Sequence, residues 1–229
     1  MNPPIVSSEA PIALIGGGTL WTNDLEEALA LSSHLVAADG GVSKAVTAGH
    51  VPDAVIGDFD SLPADARARV PADRFHHIAE QDSTDFDKAL RSECAPVVIA
   101  VGFTGARVDH QLACLHILAA RAAQPCILLG ELEVICLLPR HLHLPTTAGE
   151  TVSLFPLAQV QGVSQGLEWP IDGLVFDPLR QIGTSNRATG PVEITMQAPH
   201  MIGFFPRRHL SALTRALAGL SADARWPAL

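Results

Sequence analysis

Short apolar runs of three to five residues, unbroken except where His76-His77 interrupts the one at 75–78, are set apart by polar or glycine-rich stretches and recur through the first 130 or so positions. They fall at 12–15, 35–38, 54–56, 75–78, 97–101 and 126–129, and short continuous runs of this kind predict strands buried on both faces. Helical patterns lie between them. Asn23 followed by Glu26 predicts a capping box opening a helix to about Ser33. Residues 109–123 form the longest helical stretch, apolar at Leu112, Leu115 and Leu118. Strand and helix in alternation predict an α/β fold with a doubly wound, mostly parallel, Rossmann-like sheet.

The pattern changes near residue 140. Prolines and glycines then punctuate short alternating segments such as Thr151-Val152-Ser153-Leu154-Phe155 and Val192-Glu193-Ile194-Thr195-Met196, which predict an antiparallel β-sandwich or barrel. Leu210, Leu213, Leu217 and Leu220 place one apolar face on a short C-terminal helix. Two domains are expected, 1–139 and 140–229, the first α/β and the second a β-sandwich with a helical tail.

Composition changes the picture in one respect. With 229 residues and 48% apolar content the chain can bury one large core or two modest ones, and its formal charge of −9 disfavours nucleic acid or an anionic membrane as partner, since both need a basic face. The start at Met1-Asn2-Pro3-Pro4 has no basic leader, and the first apolar run stops at three glycines, short of a signal or membrane segment. A cytoplasmic protein is expected. Cys94, Cys114, Cys126 and Cys136 show no Cys-x-x-Cys spacing and read as small core residues.

Every polar or glycine-rich motif of the first domain follows a predicted strand: Gly16-Gly17-Gly18, Asp39-Gly40-Gly41, Gly57-Asp58-Phe59-Asp60-Ser61, Gln81-Asp82-Ser83-Thr84-Asp85, and the loop from Gly102 to His110. In open α/β sheets the carboxyl edge is where ligands bind, so five loops converge on one crevice. On an extended backbone Asp58 and Asp60 point the same way, and two such carboxylates suit a hard cation that shares its shell with substrate phosphates, Mg²⁺ above all. A surface turn explains the same residues. Asp39 caps a helix or faces the crevice, and Asp82 suits a helix cap while Gln81 and Asp85 suit a phosphoryl site. Arg107, the basic residue of these loops, grips phosphate oxygens or pairs with Asp109 on the surface. His141 and His143 share a strand face without a third ligand nearby, and His76-His77 read as structural. In the second domain Gly183-Thr184-Ser185-Asn186 reads as a turn, and Trp169 as core or a stacking surface.

In order and spacing, Ala38-Asp39-Gly40-Gly41, Gly57-Asp58-Phe59-Asp60-Ser61, Gln81-Asp82-Ser83-Thr84-Asp85-Phe86, Gly102 through His110, Ser153-Leu154-Phe155-Pro156, Gly166-Leu167-Glu168-Trp169-Pro170 and Gly183-Thr184-Ser185-Asn186 resemble the thiamine pyrophosphokinase (thiamine diphosphokinase) family. The resemblance runs from about residue 12 to about 205. It implies an ATP- and Mg²⁺-binding catalytic domain, a thiamine-binding β-sandwich, a homodimer, and transfer of diphosphate from ATP to the thiamine hydroxyl with release of AMP. By motif position Asp58, Asp60 and Asp85 are the implied metal-binding and catalytic carboxylates. Asp39, Gly40, Gln81, Arg107 and Asp109 lie by substrate, and Thr184, Ser185 and Asn186 on the thiamine side. A pterin-like acceptor and a non-catalytic nucleotide-binding module are the alternatives. Some members carry a tryptophan where this chain reads Val192-Glu193-Ile194-Thr195.

Overall fold

Five parallel strands form the sheet of the first unit in the order β7-β2-β3-β4-β5: β2 Ile12–Ile15, β3 His34–Ala38, β4 Ala54–Gly57, β5 Phe75–His77 and β7 Val98–Val101. The computed structural model describes residues 3–60, 62–105 and 107–228; Met1 and Asn2 of the chain start, and Ser61 and Ala106 of the motifs, lie outside the described residues. β2 and β7 are buried at every position, which is why they are unbroken apolar runs and not alternating ones. Helices α1 (Asp24–Leu29), α2 (Gly41–Thr47), α3 (Ala64–Ala68) and α4 (Asp85–Leu90) connect them, with α1 packed on β7 and β2, and α4 on β3 and β4. A short parallel pair, β1 (Val6–Ser7) and β6 (Glu93–Cys94), lies outside this sheet.

Two helix expectations need correction. Asn23 has a left-handed backbone, φ 67°, and makes no side-chain cap; Asp24 instead accepts the Trp21 N–H at 2.8 Å, and α1 ends at Leu29. Helix α5 covers Val108–Ala120, and Leu112 on it is 62% exposed while Leu115 and Leu118 are buried.

The chain divides into compact units at 1–117 and 118–229, whereas the change in sequence pattern falls at 139/140. β8 (Cys126–Leu129) resembles the preceding buried strands in sequence, yet it pairs antiparallel with β9 (Glu133–Leu137), and β9 with β14 (Met201–Pro206). The remaining strands are β10 (His141–Leu144), β11 (Thr151–Pro156), β12 (Gly162–Leu167) and β13 (Gly183–Met196). β13 changes partners along its length: its first residues pair with β11, its last with β10 and β12. Burial alternates along β10 and β11, as expected for strands with one face on a core. Helix α6 (Leu210–Ala218) buries Leu210, Leu213 and Leu217. All four cysteines are free, three of them buried, and burial pushes the Cys114 and Cys136 thiols up to about 12. No helix among the described residues is long and apolar enough to cross a membrane.

Candidate active site

From β2 the chain adds β3, β4 and β5 on one side, then places β7 on the other. That reversal opens a crevice at the carboxyl ends of β2 and β7. The loops there meet without side chains. Gly18 N–H donates to the Gly102 carbonyl at 2.8 Å, and a Cβ on Gly18 would stand 2.6 Å from the Gly102 oxygen. The triple glycine thus lets two loops touch while leaving main chain to face the cavity.

That cavity has a volume of about 490 Å³ and is lined by Gly17, Gly18, Asp39, Gly40, Asp58, Gln81, Asp85, Lys88, Phe103, Arg107 and His110, among others. The second unit holds a larger space, about 630 Å³ over Glu150, Ser153 and Arg208. Chemistry separates the two, because only the first gathers carboxylates beneath glycine-rich turns.

Asp39 is not the helix cap. Gly40 holds that position, and Asp39, with φ 38°, accepts the Phe59 N–H on its Oδ1 at 3.2 Å. Phe59 itself sits at φ 61°, braced edge-on against Phe75 with ring centroids 5.4 Å apart. A left-handed backbone at a bulky residue stores strain, and such residues concentrate at functional sites. The same twist breaks the extended geometry expected for Asp58 and Asp60: Asp58 lines the cavity, while Asp60 is exposed on the turn with its N–H 3.3 Å from Asp58 Oδ1.

Asp58 Oδ2 accepts from Gln81 Nε2 at 3.2 Å and from Lys88 Nζ at 3.3 Å. The Asp60 N–H, then Lys88 and Gln81, hold the Asp58 carboxyl below the usual range. Asp85 opens α4, and its Oδ1 lies 3.5 Å from Lys88 Nζ. Burial first, then the charge of Asp39, push its carboxyl up. Thr84, not Asp82, caps α4 by accepting the Asp87 N–H at 3.2 Å; Asp82 donates its N–H to Glu80, whose carboxyl is held down to about 2 by Ser83 and Arg91. Lys88 is the site residue that motif reading passes over. Its place three residues after Asp85, one helical turn on, was the available signal.

Arg107 lines the cavity, yet it is exposed and clasps Asp109 bidentately, Nε to Oδ1 at 3.2 Å and Nη2 to Oδ2 at 2.5 Å. This pair lowers Asp109 to about 2. Asp109 is outside the cavity lining.

Thr184, Ser185 and Asn186 stand in the second unit, at the start of β13 and not in a turn. Ser185 has φ 63° and donates its N–H to Ser153 Oγ at 2.9 Å. Asn186 is buried and holds the main chain of Trp169 from both sides, Nδ2 to its carbonyl at 2.7 Å and Oδ1 from its N–H at 3.2 Å. Trp169 is 54% exposed, so it is not a core residue.

Among the described residues no three His, Cys, Asp or Glu side chains gather closely enough to hold a metal by themselves. The cavity still fits Mg²⁺. Asp58 and Asp85 offer hard oxygens from two elements, and the charges of Asp39 and Asp58 both weigh on Asp85, so the site can accept further positive charge. Mg²⁺ commonly takes only one or two carboxylates and completes its shell with phosphates and water.

Two family models match the chain in order: "Thiamin pyrophosphokinase, catalytic domain" over residues 25–128 and "Thiamin pyrophosphokinase, vitamin B1 binding domain" over residues 140–201. The chain belongs to the thiamin pyrophosphokinase family. Its catalytic match covers most of the cavity-lining loops, and the vitamin-binding match covers Thr184, Ser185 and Asn186. A thiamine pyrophosphokinase of Bacillus subtilis (strain 168) is 37% identical over 89 residues, a segment spanning 36% of this chain and 42% of that protein. The thiamin pyrophosphokinase from Candida albicans superposes with a TM-score of 0.74 at 15% identity, covering 90% of this chain and 95% of that one. The thiamin pyrophosphokinase from Geobacillus thermodenitrificans gives 0.71 at 25% identity, covering 86% and 96%. Identity this low to the Candida protein speaks for the fold alone.

Proposed function

We propose that this chain is a thiamine diphosphokinase that moves the terminal diphosphate of ATP to the hydroxyl of thiamine, with Mg²⁺ as cofactor. The observation that carries the reading is the order of the two matched regions, catalytic and then vitamin B1 binding, the first lying over the loops of the acidic cavity. The thiamine oxygen attacks the β-phosphorus, the bond between that phosphorus and the α,β-bridging oxygen breaks, and AMP leaves with the bridging oxygen. The hydroxyl proton passes to a carboxylate. Asp85, which opens α4 and lines the cavity, is the candidate acceptor. Main chain at Gly17, Gly18 and Gly40 allows close approach of phosphate oxygens, and Arg107 offers them a guanidinium.

Asp58 and Asp85 would hold Mg²⁺; Asp60, a third ligand by motif position, stands exposed outside the cavity lining. Bound there, Mg²⁺ offsets charge on the phosphate oxygens. Gln81 orients Asp58 and faces the acceptor alcohol. Thr184 and Ser185 serve thiamine, and Asn186 serves it through Trp169, whose main chain it fixes. The negative cavity favours a cationic vitamin. A homodimer in the cytoplasm, with residues 1–139 acting on nucleotide and 140–229 on thiamine, completes the reading.

The purified protein with ATP and Mg²⁺ is expected to form AMP and thiamine diphosphate only when thiamine is added. AMP formation that is absent, or indifferent to thiamine, refutes the proposal.

A further inference from the structure

The chain carries thirteen arginines but only two lysines, Lys44 and Lys88. Lys88 is one of the largest fully buried side chains, 1% exposed, and it lies against the acidic cavity. Its ammonium stands 3.3 Å from Asp58 Oδ2 and 3.5 Å from Asp85 Oδ1. The two carboxylates come from different elements, Asp58 from the loop after β4 and Asp85 from the first turn of α4. Helix geometry brings Lys88 next to Asp85, three residues away; its ammonium then ties that helix turn to Asp58.

Residue type matters here. A lysine buries a four-carbon stem and ends in a compact charge with three donors, enough for two carboxylates at once, where a planar guanidinium would favour one of them. Burying an ammonium is costly unless it is paired, and here both carboxylates face it at ion-pair distance. Arg107, the other cation on the cavity wall, is engaged by Asp109. Without Lys88, three carboxylates, Asp39, Asp58 and Asp85, would face one cavity with mutual repulsion and no buried counter-charge among the described residues that line it.

We propose that Lys88 is a resident stand-in cation: in the metal-free protein it holds Asp58 and Asp85 together, and a divalent cation takes over part of that role when it binds with the nucleotide. Lys88 is thus a positioning residue acting through the two carboxylates. The inference rests on the Mg²⁺-dependent reading above and adds a specific competition between a lysine and a metal ion.

With two lysines, the test has simple signals. Protein labelled with ¹³C at lysine Cε shows two side-chain resonances, assigned with Lys44→Arg. Adding Mg²⁺ with ATP is expected to move the Lys88 signal and leave that of Lys44 in place. Lys88→Met keeps most of the stem and removes the charge. It should melt lower than wild type in EDTA, gain more thermal stability from Mn²⁺, and bind Mn²⁺ on the order of tenfold tighter without nucleotide, because the competing charge is gone. Lys88→Arg keeps a cation and should not show the tighter Mn²⁺ binding. If Lys88→Met does not fold, the wild-type resonance and Lys88→Arg decide. Wild type that forms AMP while its Lys88 signal stays fixed, or a Lys88→Met protein with an unchanged Mn²⁺ response, overturns this inference alone. Wild type that neither binds Mn²⁺ nor forms AMP overturns the Mg²⁺ reading, and the stand-in with it.

Discussion

Gly40 and Gly41 are neighbours with different reasons to be glycine. A Cβ on Gly41 would lie 2.1 Å from the Ile15 carbonyl oxygen, a main-chain atom of the central strand β2 that cannot step aside, whereas one on Gly40 meets nothing within 4 Å. Gly40 also has an ordinary helical φ of −58°. Gly41→Ala is therefore expected to cost about 1–3 kcal/mol or more through forced separation of α2 from β2. Gly40→Ala should leave stability unchanged or raise it by up to about 1 kcal/mol, since it removes freedom only from the unfolded chain. Urea unfolding midpoints of the two variants check this, and equal losses would show that the close approach at Gly41 is not what the pair encodes. The same scale explains a limit of motif reading. Asp58 is recognisable from Gly57-Asp58-Phe59-Asp60, but nothing in that string says that Phe59 turns left-handed and sends Asp60 out of the cavity, because the cause lies in the Asp39 carboxylate and the Phe75 ring.

Among the elements, buried parallel strands were legible and local caps were not. β2 and β7 are apolar on both faces because both faces are covered, and this leaves an unbroken run in the sequence. β8 is just as buried and leaves the same run, but nothing in that run announces the antiparallel hairpin it makes with β9. The pair β1 and β6 was invisible, since two residues carry no period. One of those residues is costly: Glu93 in β6 is buried, and neither carboxylate oxygen has a hydrogen-bond partner among the described residues. Burial pushes its carboxyl well above the usual range, so the folded state keeps the proton that the unfolded chain releases near 4.5. The sign follows from linkage: the group costs nothing below the unfolded value, and its cost grows as pH rises above it, by up to about 1.4 kcal/mol per pH unit until the folded value is reached. Glu93→Gln removes the titration. Its unfolding free energy relative to wild type should climb between pH 5 and 8, and a difference that stays flat across that window would mean that Glu93 is ionised in the fold.

At the scale of the molecule, the crevice was foreseeable because it depends on strand order more than on any side chain: glycine and aspartate motifs after successive buried strands must collect at one sheet edge. The balance of charge within it was harder to see, since it depends on a lysine lying between two aspartates, one from a loop and one from a helix turn. That balance yields a last prediction. The chain has a formal charge of −9, and its cavity wall presents Asp39, Asp58 and Asp85 against Lys88 and Arg107, so an ATP tetra-anion alone meets repulsion. Mg²⁺ alone meets a site already partly neutralised by Lys88. Together they relieve each other, and binding linkage requires the benefit to be reciprocal. In thermal unfolding without thiamine, ATP in EDTA and Mg²⁺ by itself should each raise the melting temperature slightly, while the pair should raise it by more than the sum. At a concentration 100 times its Kd, a ligand adds about 2.7 kcal/mol to the stability of the state that binds it, a gain ample for detection. Equal stabilisation by ATP with and without Mg²⁺ would place nucleotide recognition on Arg107 and the glycine-rich main chain alone, and remove the acidic pair from it.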